Sequence, residues 1–159
     1  MKETVDAVVE LDRINMAPII AESGGAFSVS RRRNKLIEEL ESGSVILTQY
    51  LHDKLAGYIQ YIPREAGDVY ILSIQIHPEY RSGLVLKKLL KSAAIDLLQR
   101  QPKSLTSSVH RNNGPSIALH TRLGFLVTSE TDERIEYIYD GIALRHKLNQ
   151  FSGNLGKVC

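Results

Sequence analysis

The sequence predicts an α/β fold with a mixed, mostly antiparallel central sheet that about four helices flank. Two observations favour this class. An early helical region is followed by strand-like runs rich in β-branched and aromatic residues, and the later chain then alternates between strand and helix patterns. The length of 159 residues fits one domain. We predict that domain over residues 1–150 and a flexible tail over residues 151–159.

The first two elements are predicted as helices. Apolar residues at mixed helical spacing extend from about Val5 to Ala21, and Pro18 is expected to kink or end this helix. Ser30 is placed to cap a second helix, which Gly43 can close. The arginines at 31–33 lie at the start of that helix, where cations oppose the helix dipole. Either a solvated surface or a phosphate contact accounts for them.

Strands and helices alternate after this region. The runs SVILTQY and KLAGYIQYI, separated by LHD, predict a hairpin, and DVYILSIQI predicts a third strand. An amphipathic helix is predicted from about Leu84 to Arg100. The apolar residues that share one face of this helix are Leu86, Leu90, Ala93 and Leu97. The remaining predicted elements are a strand in SLTSSVH, a helix in NGPSIALHTRLG that Gly124 closes, and closing strands in FLVTSE and IALRHKL.

The composition narrows the class of partner. Hydrophobic residues make up 43% and charged residues 24% of the chain, as is ordinary for a globular protein, and a net charge of +2 gives no argument for nucleic acid. Because the sequence shows no basic-apolar signal and no apolar run of membrane length, we expect no membrane partner and a cytoplasmic location. Cys159 is the single cysteine and the histidines lack ligand spacing, so neither an internal disulfide nor a metal site is expected.

The stretch HPEYRSGLVLKKLL joins the third predicted strand to the amphipathic helix. Amides at the start of the helix near Leu84 have no intrahelical partners, and together with the helix dipole they form an anion site. Arg81 and Lys87 add positive charge to this turn. A phosphate group is therefore the expected ligand.

Two motifs carry a resemblance to a known family. ILSIQIHPEYRSGLVLKKLL, followed by NNGPSIALHTRLGF, resembles the signature of the GCN5-related N-acetyltransferase (GNAT) superfamily, and the likeness covers roughly Val45 to Leu148. It implies transfer of an acetyl group from acetyl-CoA, as co-substrate, to a primary amine by direct attack in a ternary complex. It also implies that the pyrophosphate binds the turn and that the pantetheine arm follows the preceding strand. The residues implied in cofactor binding are Ile74, Gln75, Ile76, Arg81, Ser82, Gly83, Leu84, Val85, Leu86, Lys87 and Asn113.

The chain departs from the family pattern at this turn. With Arg81 in the first motif position, the two glycine positions fall on Leu84 and Leu86, and the turn's single glycine, Gly83, comes one residue early. Side chains there would crowd the approach of a pyrophosphate, unless Leu86 faces the sheet and Gly83 relaxes the turn. A non-catalytic acyl-CoA-binding or interaction module is therefore the alternative to an enzyme. The short sequence before the first helix also leaves little room for the strand that opens the fold in relatives.

The resemblance indicates His120 as a catalytic acid. It takes the position at which relatives often carry a tyrosine that protonates the departing thiolate, and an imidazole can do the same. The alternative is a half-buried residue that packs against the sheet. Asn113 matches an asparagine that contacts the pantetheine region in relatives, and it is equally suited to cap a helix.

The general base has no clear signal. Ser108 takes the position of a glutamate that some relatives use. Glu22 is the candidate base, because the loop after the first helix borders the acceptor pocket in this fold, and an exposed loop acid is the alternative. Ser73 and Gln75 share a strand face and are candidates to line the same cleft, and deprotonation through water is a further alternative.

The sequence does not identify the acceptor amine. Peptide N-termini, lysines, polyamines and antibiotics all remain open, and so does a homodimer. Tyr137 and Tyr139, near the closing strands, are candidates to form a wall of the acceptor site or to lie on the sheet surface.

Overall fold

The computed structural model describes the backbone of residues 2–155 and the side chains of residues 2–150, and this part contains five α-helices and six β-strands. No helix in it is both long enough and apolar enough to cross a membrane. The helices are α1 (Lys2–Glu22), α2 (Val29–Glu41), α3 (Leu84–Arg100), α4 (Gly114–Leu123) and α5 (Gly141–Leu155). The strands are β1 (Val45–Leu51), β2 (Lys54–Pro63), β3 (Val69–Ile76), β4 (Ser104–His110), β5 (Leu126–Glu130) and β6 (Arg134–Asp140).

The strands form one mixed sheet in the order β1-β2-β3-β4-β6-β5. The pairs β1–β2, β4–β6 and β5–β6 are antiparallel, whereas β3 and β4 are parallel, with Val69, Tyr70 and Ile71 opposite the stretch from Leu105 to Ser107. The predicted fold class, a mixed and mostly antiparallel sheet flanked by helices, is confirmed.

The hairpin predicted around LHD joins β1 to β2. Leu51 pairs with Lys54, so the loop contains only His52 and Asp53, whose φ angles are 49° and 61°. A two-residue turn with both φ angles positive follows the right-handed twist of paired strands. The left-handed region is open to histidine and aspartate more often than to β-branched residues, and the polar loop residues therefore fit the turn.

The chain divides into two compact units. The first comprises the chain up to Tyr61 together with Ser73–Leu89, and the second comprises Ile62–Leu72 together with the described chain from Leu90 onward. A core cluster of the first unit contains Val5, Val8, Val9, Leu11, Leu36, Leu55 and Tyr58. Buried apolar residues of the second unit include Leu105, Val109, Ile135, Leu144 and Leu148. The single domain proposed over residues 1–150 stays a prediction.

The segment IALRHKL lies in helix α5, so its prediction as a closing strand is wrong. Asp140 caps this helix, because its Oδ2 accepts hydrogen bonds from the amides of Ile142 and Ala143 at 3.0 and 3.1 Å. Leu144 and Leu148 are buried four positions apart, which is the spacing of one helix face. The helix extends into the predicted tail as far as Leu155, and residues 156–159 lie outside the described residues.

Gly141 forms the junction between β6 and α5. A Cβ atom at this position would overlap the carbonyl oxygen of Lys103 and lie 2.8 Å from that of Pro102. Both contacts are with backbone atoms, which cannot turn aside as a flexible side chain can. The junction therefore has room only for glycine at position 141.

The predicted helix boundaries near the N-terminus need two corrections. Pro18 lies inside α1, which continues to Glu22, so the proline does not end the helix. Ser28 rather than Ser30 caps α2, because Ser28 Oγ accepts a hydrogen bond from the amide of Arg31 at 3.3 Å. Pro18 removes one backbone hydrogen bond from α1, and the helix continues for four residues beyond it.

Candidate functional site

The turn after β3 has a path fixed by backbone hydrogen bonds. The amide of His77 donates to the carbonyl of Ala56 on β2 at 2.9 Å, and the amide of Tyr80 donates to the carbonyl of His77 at 2.9 Å. The second of these bonds closes a short 3-10 turn over Pro78–Tyr80. The chain then passes through Arg81, Ser82 and Gly83 before α3 begins.

Gly83 allows the turn to enter the helix directly. Its φ of +93° lies in the left-handed region, and nothing lies within 4 Å of the place where a Cβ would sit. Its carbonyl accepts the first helical hydrogen bond, from the amide of Lys87 at 3.0 Å. The amides that precede Lys87 in α3 have no intrahelical acceptor, so they can bind an anion.

Two cations lie at this helix start. Arg81 and Lys87 are both exposed, and Ser82 between them is exposed as well. Arg81 Nη2 donates to Oδ1 of Asn15 on α1 at 3.1 Å, which holds the guanidinium beside the turn. Positive charge, free amides and the positive end of the helix dipole together fit a phosphate group.

Asn15 was missed in the sequence. Its Nδ2 donates to Gln75 Oε1 at 2.9 Å and to the carbonyl of Ile76 at 3.0 Å. Asn15 therefore contacts the end of β3 and the turn cation at once. It lies sixty or more positions before these partners, and no local pattern in the sequence signals such a contact.

A buried ionic network in the first unit connects α1, α2 and β2. Asp12 on α1 is 3% exposed and Tyr58 on β2 is fully buried. The Tyr58 hydroxyl contacts Asp12 Oδ1, and Arg32 Nε donates to Asp12 Oδ2 at 2.6 Å. Arg32 also contacts Glu39 at 3.0 Å. The arginine run at 31–33 is therefore not simply solvated, because burial of Asp12 requires a compensating cation.

Burial governs the ionisation of this network. It raises the pKa of the Asp12 carboxyl, and the opposing effects of Arg32 and of the Tyr58 hydrogen bond only partly offset it. Burial, with the neighbouring Asp12 charge, raises the pKa of the Tyr58 phenol well above its usual value. Burial disfavours the charged form of Arg32, but the attraction of Asp12 together with its hydrogen bonds to Asp12 and Glu39 outweighs that effect and raises the pKa of Arg32 above the usual range. The phenol therefore stays protonated.

His120 lies on α4 in the second unit and is 3% exposed. Its ring stacks on Tyr137 with centroids 4.7 Å apart and contacts the edge of Phe125 at 5.0 Å. Nδ1 lies 2.7 Å from the carbonyl oxygen of Ser116, and Nε2 lies 2.9 Å from Ser107 Oγ. Because a carbonyl only accepts, the neutral ring carries its proton on Nδ1 and accepts from Ser107 at Nε2.

The ionisation of His120 follows from this position. Burial lowers the pKa of the imidazole, and the bond to the Ser116 carbonyl only partly opposes that shift. The cationic form, which could give a proton from Nε2, is therefore disfavoured. These contacts favour the packing alternative for His120, and the role of acid stays a prediction.

Asn113 caps α4, as one of its two expected roles requires. Its Oδ1 accepts from the amide of Ser116 at 3.2 Å, and its own amide donates to the carbonyl of His110 at 2.9 Å. Gly124 ends the helix in the left-handed conformation, with φ of 95°. Contact between Asn113 and pantetheine stays a prediction.

Glu22 is the last residue of α1 and is exposed. The loop after it turns at Gly24, whose φ is +77°. Hydrogen bonds from the amides of Ser23 and Gly25 to the carbonyl of Ile20, each 3.1 Å long, hold the loop against the helix end. Glu22 is thus open to an incoming molecule, and its role as a base stays a prediction.

The fold agrees with comparisons against known proteins. The sequence profile of the acetyltransferase (GNAT) family matches residues 16–125. The chain belongs to the GNAT family. A comparison with curated protein sequences found no match.

Solved GNAT structures share this fold at low sequence identity. PaiA N-acetyltransferase from Thermoplasma acidophilum, in complex with coenzyme A, is 18% identical with a TM-score of 0.70, over 87% of this chain and 93% of that one. The ribosomal-protein-S18-alanine N-acetyltransferase from Escherichia coli is 17% identical with a TM-score of 0.65, over 87% and 86% of the two chains. The yncA protein from Salmonella typhimurium, with acetyl-CoA, is 18% identical with a TM-score of 0.63, over 88% and 90%.

Leu84 and Leu86, the residues at the two glycine positions of the GNAT turn, differ in their burial. Leu84 is 55% exposed, so its side chain extends into solvent, while Val85 is buried and Leu86 is half-buried. Ala93 and Leu97 are buried, as predicted for this face of α3. In its first half Val85 and Leu89 are buried instead, whereas the predicted Leu86 and Leu90 are half-buried. Within the turn from Arg81 to Lys87, Gly83 has the left-handed φ.

Ser108, which the sequence resemblance matches to a glutamate of some relatives, has a carboxylate beside it. Glu136 is directly opposite on β6, and Ser108 Oγ donates to Glu136 Oε1 at 2.6 Å. Arg134 Nε contacts the same hydroxyl at 2.7 Å. No group of three or more His, Cys, Asp or Glu residues that could hold a metal occurs in the described part of the chain.

Proposed function

We propose that this GNAT-family protein is an N-acetyltransferase that moves the acetyl group of acetyl-CoA to a primary amine by direct attack in a ternary complex. The observation that carries the proposal is the turn from Arg81 to Lys87, where two exposed cations flank the first amides of α3 in the segment that follows β3. Membership of the GNAT family supports the acyl transfer.

In acetyl-CoA binding, each part of the turn from Arg81 to Lys87 has a role. Arg81, Ser82 and Lys87 contact the pyrophosphate from exposed side chains, and the α3 amides bind its oxygens. Gly83 opens the turn so that the phosphates reach the backbone. The pantetheine arm follows the backbone of Ile74, Gln75 and Ile76, residues that are half-buried at the end of β3.

The acceptor amine must lose two protons in this reaction. It arrives as an ammonium ion and loses one proton to become a nucleophile, and its nitrogen loses a second proton once the bond to the acetyl carbon has formed. Glu22 is the proposed base that accepts the first proton, because its carboxylate is exposed at the end of α1 beside a glycine-rich loop. The acid that protonates the thiolate is either His120 or water.

The experiment is thiol release from acetyl-CoA in the presence of a panel of amines. Peptide N-termini, lysine side chains, polyamines and aminoglycoside-type amines each represent one acceptor class. Turnover with any of them supports the proposal. Isothermal titration with acetyl-CoA, performed in parallel, separates the alternative function, since a non-catalytic acyl-CoA-binding module would bind acetyl-CoA and release no thiol with any amine.

A further inference from the structure

A chain of hydrogen bonds connects the turn to the buried carboxylate of Asp12, entirely within the first unit. Arg81 contacts Asn15, and Asn15 contacts Gln75. Gln75 Nε2 lies 3.3 Å from Ser73 Oγ, and Ser73 Oγ lies 3.0 Å from the Tyr58 hydroxyl, which contacts Asp12. The structure therefore links an exposed cation to a carboxylate that is 3% exposed.

The hydrogen bonds from Ser73 to Tyr58 and from Tyr58 to Asp12 both donate inward, toward the carboxylate. Asp12 accepts from Arg32 as a carboxylate, so the Tyr58 hydroxyl gives its single hydrogen to Asp12. The contact between Tyr58 and Ser73 must then use the hydrogen of the Ser73 hydroxyl. Each hydroxyl accepts from outside and donates inward, so a proton that reaches Ser73 can be passed to Asp12.

We propose that Ser73, Tyr58 and Asp12, the Asp12 relay, remove the second proton of the acceptor amine; this rests on the proposed function. When the amine nitrogen has bonded to the acetyl carbon, its N–H bond breaks and Ser73 Oγ takes the proton. Ser73 gives its own hydrogen to Tyr58, and Tyr58 gives its hydrogen to Asp12 Oδ1. The carboxylate becomes a carboxylic acid, the electron pair of the broken bond stays on nitrogen, and the carbon–sulfur bond breaks to release thiolate.

The exposure of the groups fixes the entrance of the relay. Asp12 and Tyr58 are buried, whereas Ser73 is half-buried and is the outermost hydroxyl of the chain. Gln75 and Asn15 continue the hydrogen-bond chain toward Arg81 but are amides, which donate and accept hydrogen bonds without passing protons as hydroxyls do. An amine must therefore meet Ser73 itself.

The surroundings of Asp12 suit it to hold a proton briefly. Arg32 and Glu39 from α2 and Tyr58 from β2 are the charged and titratable groups that act on it. Burial raises the pKa of Asp12, which strengthens it as a base, while the neighbouring Arg32 cation partly offsets that rise. The raised pKa of Tyr58 keeps the phenol protonated, so it serves as a link and not as the base.

The test uses Tyr58→Phe, which removes the linking hydroxyl and keeps the ring in the core. Its kcat should fall about a hundredfold, as is typical when one proton transfer is lost, while the dissociation constant for acetyl-CoA stays unchanged. The solvent deuterium isotope effect on kcat should change as well. Tyr61→Phe is the matched control, because it removes another buried tyrosine hydroxyl from β2 outside the relay.

Ser73→Ala supplies a second variant that changes a half-buried residue and leaves the aromatic core intact. Because the two hydroxyls act in series, the double variant should be no slower than either single variant. Native turnover combined with unchanged kcat and isotope effect in both single variants overturns the relay alone. A native protein that binds acetyl-CoA but acetylates no amine overturns the proposed function and the relay together.

Discussion

Nε2 of His120 lies 2.9 Å from Oγ of Ser107, while Nδ1 of the same ring lies 2.7 Å from the carbonyl of Ser116. One histidine therefore joins two successive turns of α4 and connects that helix to β4. A ring held at both nitrogens and packed on Tyr137 is suited to fixing a helix against a sheet. Measurements of the free energy of unfolding and of kcat distinguish this packing role from the role of a catalytic acid.

His120→Ala should lower the free energy of unfolding by about 2–4 kcal/mol, because it leaves a cavity and removes the imidazole partner of the buried Ser107 hydroxyl. Urea unfolding measures this loss. We expect kcat of the folded variant to stay near the native value. A hundredfold lower kcat with unchanged acetyl-CoA binding would instead support His120 as the thiolate acid.

The pH dependence of stability should also report His120. Its pKa is lowered in the folded state, so the unfolded chain binds the proton more readily. The associated stability is complete above the unfolded value of about 6.5 and is lost as pH falls through the lower folded pKa. Urea unfolding from pH 8 to pH 5 should show this decline, and His120→Gln should reduce it. An identical pH profile in the variant would contradict the assignment.

Arg81→Ala should weaken acetyl-CoA binding by about 1–3 kcal/mol, the range for a charge-assisted hydrogen bond. The loss should shrink at high salt, since an exposed charge is screened. Isothermal titration at two ionic strengths measures both effects. Lys88→Ala is the control, because it removes an exposed cation one position beyond the turn. Equal losses in the two variants would indicate general charge attraction without a defined phosphate contact.

Glu22→Gln should raise the KM for the acceptor amine or lower kcat, and it should leave acetyl-CoA affinity unchanged. The change removes a negative charge and a base while it keeps the size of the side chain. Steady-state kinetics with the amine varied gives both constants. Glu41→Gln changes an exposed glutamate at the end of α2 and serves as the control. An unaltered acceptor profile would return Glu22 to the alternative of an exposed loop acid.

Arg32→Met should destabilise the protein by about 3–5 kcal/mol, because it leaves Asp12 buried without its cation. The neighbouring Arg33 pairs with Asp6 in a more exposed position, so Arg33→Met should cost only about 0–1 kcal/mol. Thermal or urea unfolding compares the two. Equal effects would show that Asp12 does not depend on Arg32.

Local signals in the sequence predicted the elements that form the turn and the helix after β4. Leu84 and Arg100 are the observed bounds of α3, and Asn113 and Gly124 flank α4 as cap residues. These boundaries depend on capping chemistry and on apolar spacing within a few residues. The strand prediction for IALRHKL failed because a short apolar run fits either period, although Asp140 before it was a capping signal.

The contacts that carry the chemistry could not be read from the sequence. Asp12 meets Arg32 and Tyr58 across separations of 20 and 46 residues, and Asn15 meets Arg81 across 66. Only the packing of α1 brings these residues to their partners. The arginine run at 31–33 consequently resembled ordinary surface, because its buried carboxylate partner lies on another helix.

Gly141 limits how this protein can vary through evolution. A side chain at the junction of β6 and α5 would overlap backbone atoms at positions 102 and 103, and a shift of either segment would disturb the pairing of β4 with β6. Mutational drift can exchange the surface residues around the junction, yet even alanine at 141 is excluded. A library randomised at this codon and selected for folded protein should therefore return glycine almost exclusively.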